Sequence, residues 1–374
     1  MRIELQEHRI EIDHLIQENV PLSQFTTLQI GGPARYFIRA ATAESLASAV
    51  SWAKSRDLPF FVLGGGSNVL IADSGFPGLI IQIDIRGIRI NQTVDTVTIT
   101  AGAGEEWDAF VKACVEKNWA GLECLSGIPG RIGATPIQNV GAYGQEVSET
   151  IVSVTALDTG SGQIVEIEAS DCEFGYRTSR FKIGDRDRFI ITRVTYRLRP
   201  NGAPAIRYAE LQRYLSSAGK SEPSLIDVRE AVLTIRRRKA MVLDPADIDS
   251  RSVGSFFVNP VVTNEEFEQI KTRARRRAPQ GADMPFFAAA DGKIKLSAAW
   301  LIEQSGFPRG YVFGNAGLSS KHALAIINRN GATAREISEL ATRIISDVKD
   351  KFGVNLIPEP VFVGSELKNH NSDF

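Results

Sequence analysis

Three features of the sequence predict an α+β protein of two or three domains. At 374 residues the chain is too long for one small core. Its first half alternates strand, helix and strand, then runs through consecutive short strands. From about residue 206 helices and strands mix in a different order.

The elements follow from periodicity. "ARYFIRAA" (34–41) reads as a strand. "TAESLASAVSWAKSRD" has helical spacing at Leu46, Ala49, Val50 and Ala53, and "LPFFVLGGGSN" is a short apolar run that ends in glycines. "GLIIQI", "GIRINQ" and "TVTITAG" are consecutive strands, and "EEWDAFVKACVEKNW" is a second amphipathic helix. "TIVSVTALDT" and "QIVEIEAS" suggest a hairpin, and "RFIITRVTYRLRP" a closing strand. Further on, "LIDVREAVLTIRRRKAMV", "TNEEFEQIKTRARRR", "SAAWLIEQSG" and "TAREISELATRIISDVKDKFG" read as helices. "SFFVNPVV", "ALAIIN" and "NLIPEPVFVG" read as strands.

Composition excludes several classes. The chain is 43% hydrophobic with a net charge of −1, which is ordinary for a globular protein and gives no basic field for nucleic acid. The local run "RARRRA" (273–278) reads as a solvated helix end. Cys114, Cys124 and Cys172 form no disulfide framework or metal spacing, and four scattered histidines add none, so no metal is expected. An odd cysteine count fits a reducing cytoplasm. The charged start "MRIELQEHRIEIDHLIQENV" has no apolar core of a signal peptide and reads as an amphipathic helix or an extension. No run is long and apolar enough to span a bilayer, so no membrane partner is expected.

Two glycine-rich stretches carry the functional signal. "GGGSN" (64–68) follows a strand, and its N–H groups can form an anion-binding nest, with Ser67 and Asn68 adding side-chain bonds. It matches neither the P-loop nor the G-x-G-x-x-G pattern. "SGIPGRIGATPIQNVGAYG" has glycines at 127, 130, 133, 141 and 144 and few charges. So many backbone N–H groups need a partner, and a phosphate-bearing nucleotide or flavin would supply one.

"GGGSNVL", "SGIPGRIGATPIQNVGAYG", "FGYRTSRFK", "GSFFVNPVV", "AAWLIEQSG" and "IPEPVFVG" occur in that order. Together they resemble the UDP-N-acetylenolpyruvoylglucosamine reductase family, over roughly residues 22–364. The resemblance implies a vanillyl-alcohol-oxidase-like (PCMH-type) FAD-binding domain in two α/β subdomains, plus a separate α+β substrate-binding domain. Expected bounds are 1–21 for an N-terminal extension, 22–205 for the FAD domain (core about 29–201) and 206–242 for a connecting loop and helix. The substrate domain would take 243–352, and the tail 353–374 would return to the FAD domain.

The resemblance also implies non-covalent FAD and NADPH as electron donor. Gly64, Gly65, Gly66, Ser67 and Asn68 would hold the pyrophosphate. Ser126, Gly127, Ile128, Gly133, Ala134, Gln138, Asn139, Gly141, Ala142 and Tyr143 would wrap the rest of the flavin. Arg177 and Glu359 match the family's active-site arginine and glutamate, and Ser255 its proton donor. Read alone, Ser255 is a small residue at a strand start. Tyr208 resembles the tyrosine that closes over substrate in one class of the family, and Asn259 and Gln304 resemble substrate-binding positions. The substrate would be the enolpyruvyl ether of UDP-N-acetylglucosamine and the enzyme a cytoplasmic monomer.

Two positions depart from the family. Met241 stands where a lysine serves the substrate diphosphate, with Arg238 and Lys239 close by in sequence. Val361 stands two residues beyond Glu359, where an arginine is common. Two other functions make different demands on the sequence. An oxidase of the same FAD architecture often tethers flavin through His or Cys, and the matched FAD blocks contain neither. A binding protein that had lost catalysis would lack Arg177, Ser255 or Glu359, and all three are present.

Overall fold

The computed structural model describes residues 12–277 and 284–364. The chain forms two compact units that are interleaved in sequence. The N-terminal unit takes residues up to Val20, Ala34–Gly66 and Pro77–Arg238. The C-terminal unit takes Pro21–Pro33, Ser67–Phe76 and the residues from Lys239 onward.

The N-terminal unit holds two sheets. The first runs in the order Gln17–Pro21, Pro33–Ala40, Phe76–Ile83, Phe60–Leu63. Its last two strands are parallel, with Phe60 opposite Leu79. Between the second and last of these strands in chain order lies helix α1 (Ala43–Lys54), started by a Thr42/Ser45 capping box. It buries Leu46, Ala49, Val50 and Ala53, the face that the spacing predicts.

The second sheet orders Ile164–Glu168, Ile151–Asp158, Phe189–Pro200, Val97–Gly102, Ile88–Gln92, with Trp119–Ala120 on the far end of Phe189–Pro200. The hairpin expected at 150–170 is present. Phe189–Pro200 closes nothing: it is central, with Val194 between Val154 and Ala101. Its twelve residues are long enough to pair on both sides. Helix α2 (Trp107–Glu116) buries Trp107, Phe110, Val111, Cys114 and Val115 in the same core.

Helices α3 (Ala209–Ser217) and α4 (Leu225–Arg238) pack on each other through Leu211, Leu215, Val228, Ala231, Val232 and Ile235. Cys124 joins this small core, and Tyr143, Ile206 and Tyr214 lie against it. The pair thereby touches the second glycine stretch.

The C-terminal unit centres on three helices: α5 (Asn264–Arg277), α6 (Ala298–Gln304) and α7 (Ala334–Phe352). α7 starts at a Thr333/Glu336 capping box and stops at Gly353, whose φ is +73°. It buries Ile337, Leu340, Ala341, Ile344, Val348 and Phe352. Two small antiparallel sheets flank the helices in sequence, and Val361–Val363 pairs in parallel with Val69–Ile71.

Three expected strands are shorter than their patterns suggest, "ALAIIN" keeping only Ile326–Asn328. Of "SFFVNPVV" only Val261–Val262 is a strand. Gly254 turns the chain at φ +76° and Pro260 has no N–H for a ladder, so residues 252–259 pair through single bridges, Ser252 with Ile327 and Phe257 with Pro358. Of "NLIPEPVFVG" only Val361–Val363 is regular, after Pro358 and Pro360. The N-terminal reading falls largely on residues outside the described ones. Within them, Asp13–Leu15 forms a short turn, and Asp13 accepts a hydrogen bond from Trp52 Nε1 at 2.8 Å.

Thr333→Ala removes the cap of the longest helix in the C-terminal unit, so that unit should lose about 1 kcal/mol. A urea titration followed by circular dichroism checks this; an unchanged midpoint would mean that the cap carries no stability.

Candidate active site

The two glycine stretches meet in the N-terminal unit. Gly64–Gly66 follow directly on the strand Phe60–Leu63, and Gly66 has φ +64°. A Cβ on Gly65 would lie 2.9 Å from Gly130 Cα, so the two backbones touch where no side chain fits. A Cβ on Gly64 would meet only Ala134 Cβ, at 4.0 Å. Ser67 and Asn68 belong to the C-terminal unit, where Asn68 O accepts from Val361 N at 3.0 Å.

The second stretch is held from behind. Gly130 O accepts from Trp107 N at 3.0 Å, Ile132 N donates to Glu105 O at 2.9 Å, and Gly133 N donates to Ala103 O at 2.9 Å. A Cβ on Gly133 would press to 2.6 Å from Ala103 Cβ. The fully buried Ser126 hydroxyl donates to Glu123 O at 2.7 Å. Gly127 N donates to Asp108 Oδ1 at 2.6 Å, and Arg229 of α4 holds the same carboxylate with two bonds of 2.7 and 2.9 Å. Burial alone would raise the Asp108 pKa; the bonds from Arg229 and Gly127 outweigh it and hold the group below the usual carboxylate range. Ile128 and Gln138 are half-buried and Ala134 is exposed.

Asn139 is a buried hub with φ +43°. Its amide donates to Glu146 Oε2 at 2.7 Å and to Gly175 O at 3.0 Å, and its oxygen accepts from Ser148 N at 3.2 Å. Gly141–Ala142 pairs with Gln145–Glu146. The two residues between, Tyr143 and Gly144, have φ +51° and +79°, the signature of a type I′ turn that presents Tyr143 at its tip.

Arg177 sits on a second tight turn. Gly175 and Thr178 exchange backbone bonds of 3.1 and 3.2 Å, and Arg177 has φ +56°. Asn139 holds one side of this turn, and Ser179 Oγ donates to Ile137 O at 2.6 Å just beyond it. The structure thus brings Arg177 to the 137–139 stretch. Burial pushes the Tyr143 phenol up to about 12, so it remains a neutral hydrogen-bond donor. Burial lowers the pKa of Arg236, on α4; the Asp108 charge acts against that, while Arg177 adds to it. Tyr208 is the residue just before α3, at its N-cap, and its ring meets the Tyr143 ring edge-on at 5.6 Å and 86°.

The C-terminal unit brings Ser255 and Glu359 together. Phe256 O accepts from Glu359 N at 2.9 Å, and Val258 N donates to Ile357 O at 3.0 Å. On the other side Phe256 N donates to Leu324 O at 2.8 Å. Phe256 and Phe257 are fully buried and anchor the segment, while Ser255 and Glu359 are half-buried. Asn68 Nδ2 reaches Glu359 O at 3.3 Å. A Cβ on Gly254 would lie 4.0 Å from Met241 Sδ, so a thioether stands beside Gly254 where the resemblance implies a lysine. Arg238 stacks on Tyr214 at 5.4 Å. Val361 opens the strand that pairs with Val69–Ile71.

Asn259 Oδ1 accepts from Ala298 N, the first residue of α6, at 3.0 Å. Gln304 is the last residue of that helix, so the two are separated by its length, about 9 Å. Sequence reasoning missed Asp108, Glu123, Arg229 and Arg236. One signal was available: Glu123 and Arg131 are the only charged residues between Lys117 and Glu146.

These features fit a dinucleotide cofactor. Gly64 and Gly65 are half-buried with bare backbone, they face a second bare loop, and a side chain on Gly64 would meet only Ala134 Cβ, at ordinary contact distance. Among the described residues, no group of three His, Cys, Asp or Glu is placed to hold a metal ion, and no helix is long and apolar enough to cross a membrane.

A family model described as "FAD binding domain" matches residues 34–168, which defines the class: an FAD-dependent oxidoreductase. A second, described as "UDP-N-acetylenolpyruvoylglucosamine reductase, C-terminal domain", matches residues 244–363. The UDP-N-acetylenolpyruvoylglucosamine reductase of Thermobifida fusca (strain YX) is 46% identical over 93% of this chain and 98% of its own. That of Streptomyces coelicolor is 45% identical over 93% and 90%. A crystal structure of the reductase from Thermus caldophilus shares the fold, with a TM-score of 0.61 at 23% identity, over 93% of this chain and 98% of that one. The chain belongs to the UDP-N-acetylenolpyruvoylglucosamine reductase family.

The glycine pair gives a test. Gly65→Ala forces apart two backbones that touch, so both stability and flavin retention should fall. Gly64→Ala adds a methyl that meets only Ala134 Cβ at ordinary contact distance, so melting of the flavin-free protein should be unchanged while FAD affinity drops roughly tenfold. Differential scanning and flavin-to-protein ratios check both; a Gly64→Ala variant that keeps full affinity would exclude this face from cofactor binding.

Proposed function

We propose that the chain reduces the enolpyruvyl ether of UDP-N-acetylglucosamine to UDP-N-acetylmuramate, a step in peptidoglycan precursor synthesis, with NADPH as donor. The observation that carries the residue roles is the backbone pairing of Phe256 with Glu359, which sets the serine and the glutamate on adjacent strands of chain. The reading divides the chain into an FAD domain (22–205), a connector (206–242), a substrate domain (243–352) and a tail, and makes the enzyme a cytoplasmic monomer.

Bound FAD supplies the hydride chemistry between NADPH and C3 of the enolpyruvyl group. The protein's task is then electrostatic: negative charge develops at C2 and spreads into the substrate carboxylate, and it must be stabilised and protonated. Arg177 holds that carboxylate through its planar fork, from a strained turn that fixes its approach. Ser255 gives its hydroxyl proton to C2. A serine is a weak acid in water, so the step needs a site with water excluded and a partner for the alkoxide. Glu359, on the paired segment, polarises the same carboxylate or returns the proton. Gly64–Gly66, Ser67 and Asn68 hold the cofactor's diphosphate, and Ser126–Tyr143 wraps its remainder. Tyr208 closes over the substrate, while Asn259 and Gln304 bind it, Asn259 at the diphosphate.

Ser255→Ala should leave reduction of the enzyme by NADPH within about twofold and slow reoxidation by the enolpyruvyl substrate roughly 10²–10⁴-fold. Anaerobic stopped-flow separates the halves, and equal loss in both would remove the donor role. Arg177→Lys should not recover function, because a point charge lacks the bidentate grip. Its kcat/KM should fall on the order of a hundredfold or more; near-normal turnover would sink the clamp.

A further inference from the structure

Glu123 is a buried carboxylate with no role in the reading above. Its relative exposure is 1%, and three N–H donors converge on it. Gly121 N donates to Oε2 at 2.8 Å, Ala205 N to Oε1 at 2.8 Å, and Gln145 Nε2 to Oε1 at 3.3 Å. The next residue completes the arrangement. Cys124 Sγ donates to Ala205 O at 2.9 Å, and Cys124 N donates to Gln145 Oε1 at 2.9 Å. Both backbone groups of Ala205 are therefore held by consecutive side chains. Burial, followed by the nearby Glu123 charge, pushes the Cys124 thiol up, so it stays protonated and able to donate.

Ala205 opens the short segment that ends at Tyr208. From there Arg207 Nη1 reaches Gly144 O at 3.3 Å and Glu149 at 3.0 Å, and Tyr208 meets Tyr143. Ile206 packs on the small core that includes Cys124. The segment 205–208 is thus tied to the 121–126 and 143–145 stretches at each step. Ser126, three residues after Glu123, bonds back to Glu123 O.

We propose that Glu123, with Cys124, is a positioning residue for the reaction: its buried carboxylate holds the Tyr208 segment against the cofactor-wrapping loop in the position that receives substrate. The proposal rests on the reading of Tyr208 as the residue that closes over substrate. Glu123 is fully buried and acts through the Ala205 backbone. The carboxylate suits this place because three donors meet two acceptor-only oxygens. A glutamine turns its NH₂ on at least one of those donors in either orientation, and an alanine leaves all three without their acceptor.

The test uses the FAD-loaded enzyme. Glu123→Ala should raise KM for UDP-N-acetylenolpyruvoylglucosamine on the order of tenfold or more, and Glu123→Gln by less. The rate of bleaching by NADPH and the flavin content should stay within about twofold of the parent in both, since the cofactor-wrapping stretch keeps its separate supports, Asp108 on Gly127 and Asn139 on Glu146. Cys124→Ala should shift KM the same way, and Cys124→Ser, whose hydroxyl can donate to Ala205 O, should restore it. Titration calorimetry with the product UDP-N-acetylmuramate should show the same order of affinities. Equal losses in both half-reactions, or loss of flavin, would overturn the proposal in favour of a purely structural acid. If Glu123→Ala does not fold, the cysteine pair decides: a Cys124→Ala enzyme with unchanged KM and product affinity overturns the proposal. Tyr208→Ala separates the two readings. No KM change there removes the closing role of Tyr208; a change there, with none in the Glu123 and Cys124 variants, removes the latch alone.

Discussion

A loop that offers backbone groups to a ligand cannot spend those same groups on holding its own shape. This constraint governs residues 121–146, where no helix or strand exceeds three residues. Backbone bonds at Gly130, Ile132 and Gly133 hold its back, and side chains fix the rest: Asp108 on Gly127, Glu123 on Gly121 and Ala205, Asn139 on Glu146 and Gly175. Each lies in a half-buried or buried place where a lost partner is costly. Asp108 is secured in turn by Arg229, so α4 supports the loop as well as capping its small core. Thr135 is held from the central strand, its hydroxyl 2.9 Å from the buried Tyr196 hydroxyl.

The same stretch stores backbone strain. Asn139 and Tyr143, like Arg177 on the neighbouring 175–178 turn, have positive φ, which is costly for side chains other than glycine. Asn139 bonds to both turns, so it determines where Tyr143 and Arg177 stand relative to each other. In the C-terminal unit the logic differs. Ser255 is held by buried aromatic neighbours and by backbone bonds on both sides, from Leu324 and from the Glu359 segment. One half of the proposed chemistry is thus set by polar side chains and the other by apolar packing.

Much of this was legible in the sequence. The faces of α1 and α7 follow their apolar spacing, and the 150–170 hairpin follows its alternation. The glycine stretches were legible because only glycine allows backbones to touch, as Gly65 and Gly130 do. Periodicity misled where proline intervened, at 253–262 and 355–364, since apolar alternation persists when the ladder cannot. The grouping of residues 67–76 with the C-terminal unit left no local mark, because it depends on pairing with Val361–Val363, far along the chain. Glu123 and Asp108 were hidden for a related reason. An acid that accepts from distant N–H groups has no spacing rule, and only the shortage of charge around Glu123 marked it.

The most direct measurement is the visible spectrum of the purified protein without oxygen, first with NADPH and then with UDP-N-acetylenolpyruvoylglucosamine. The account predicts a flavin band that bleaches with NADPH and returns with the enolpyruvyl substrate. A band that returns only when oxygen is admitted, or no band after reconstitution with FAD, would contradict it.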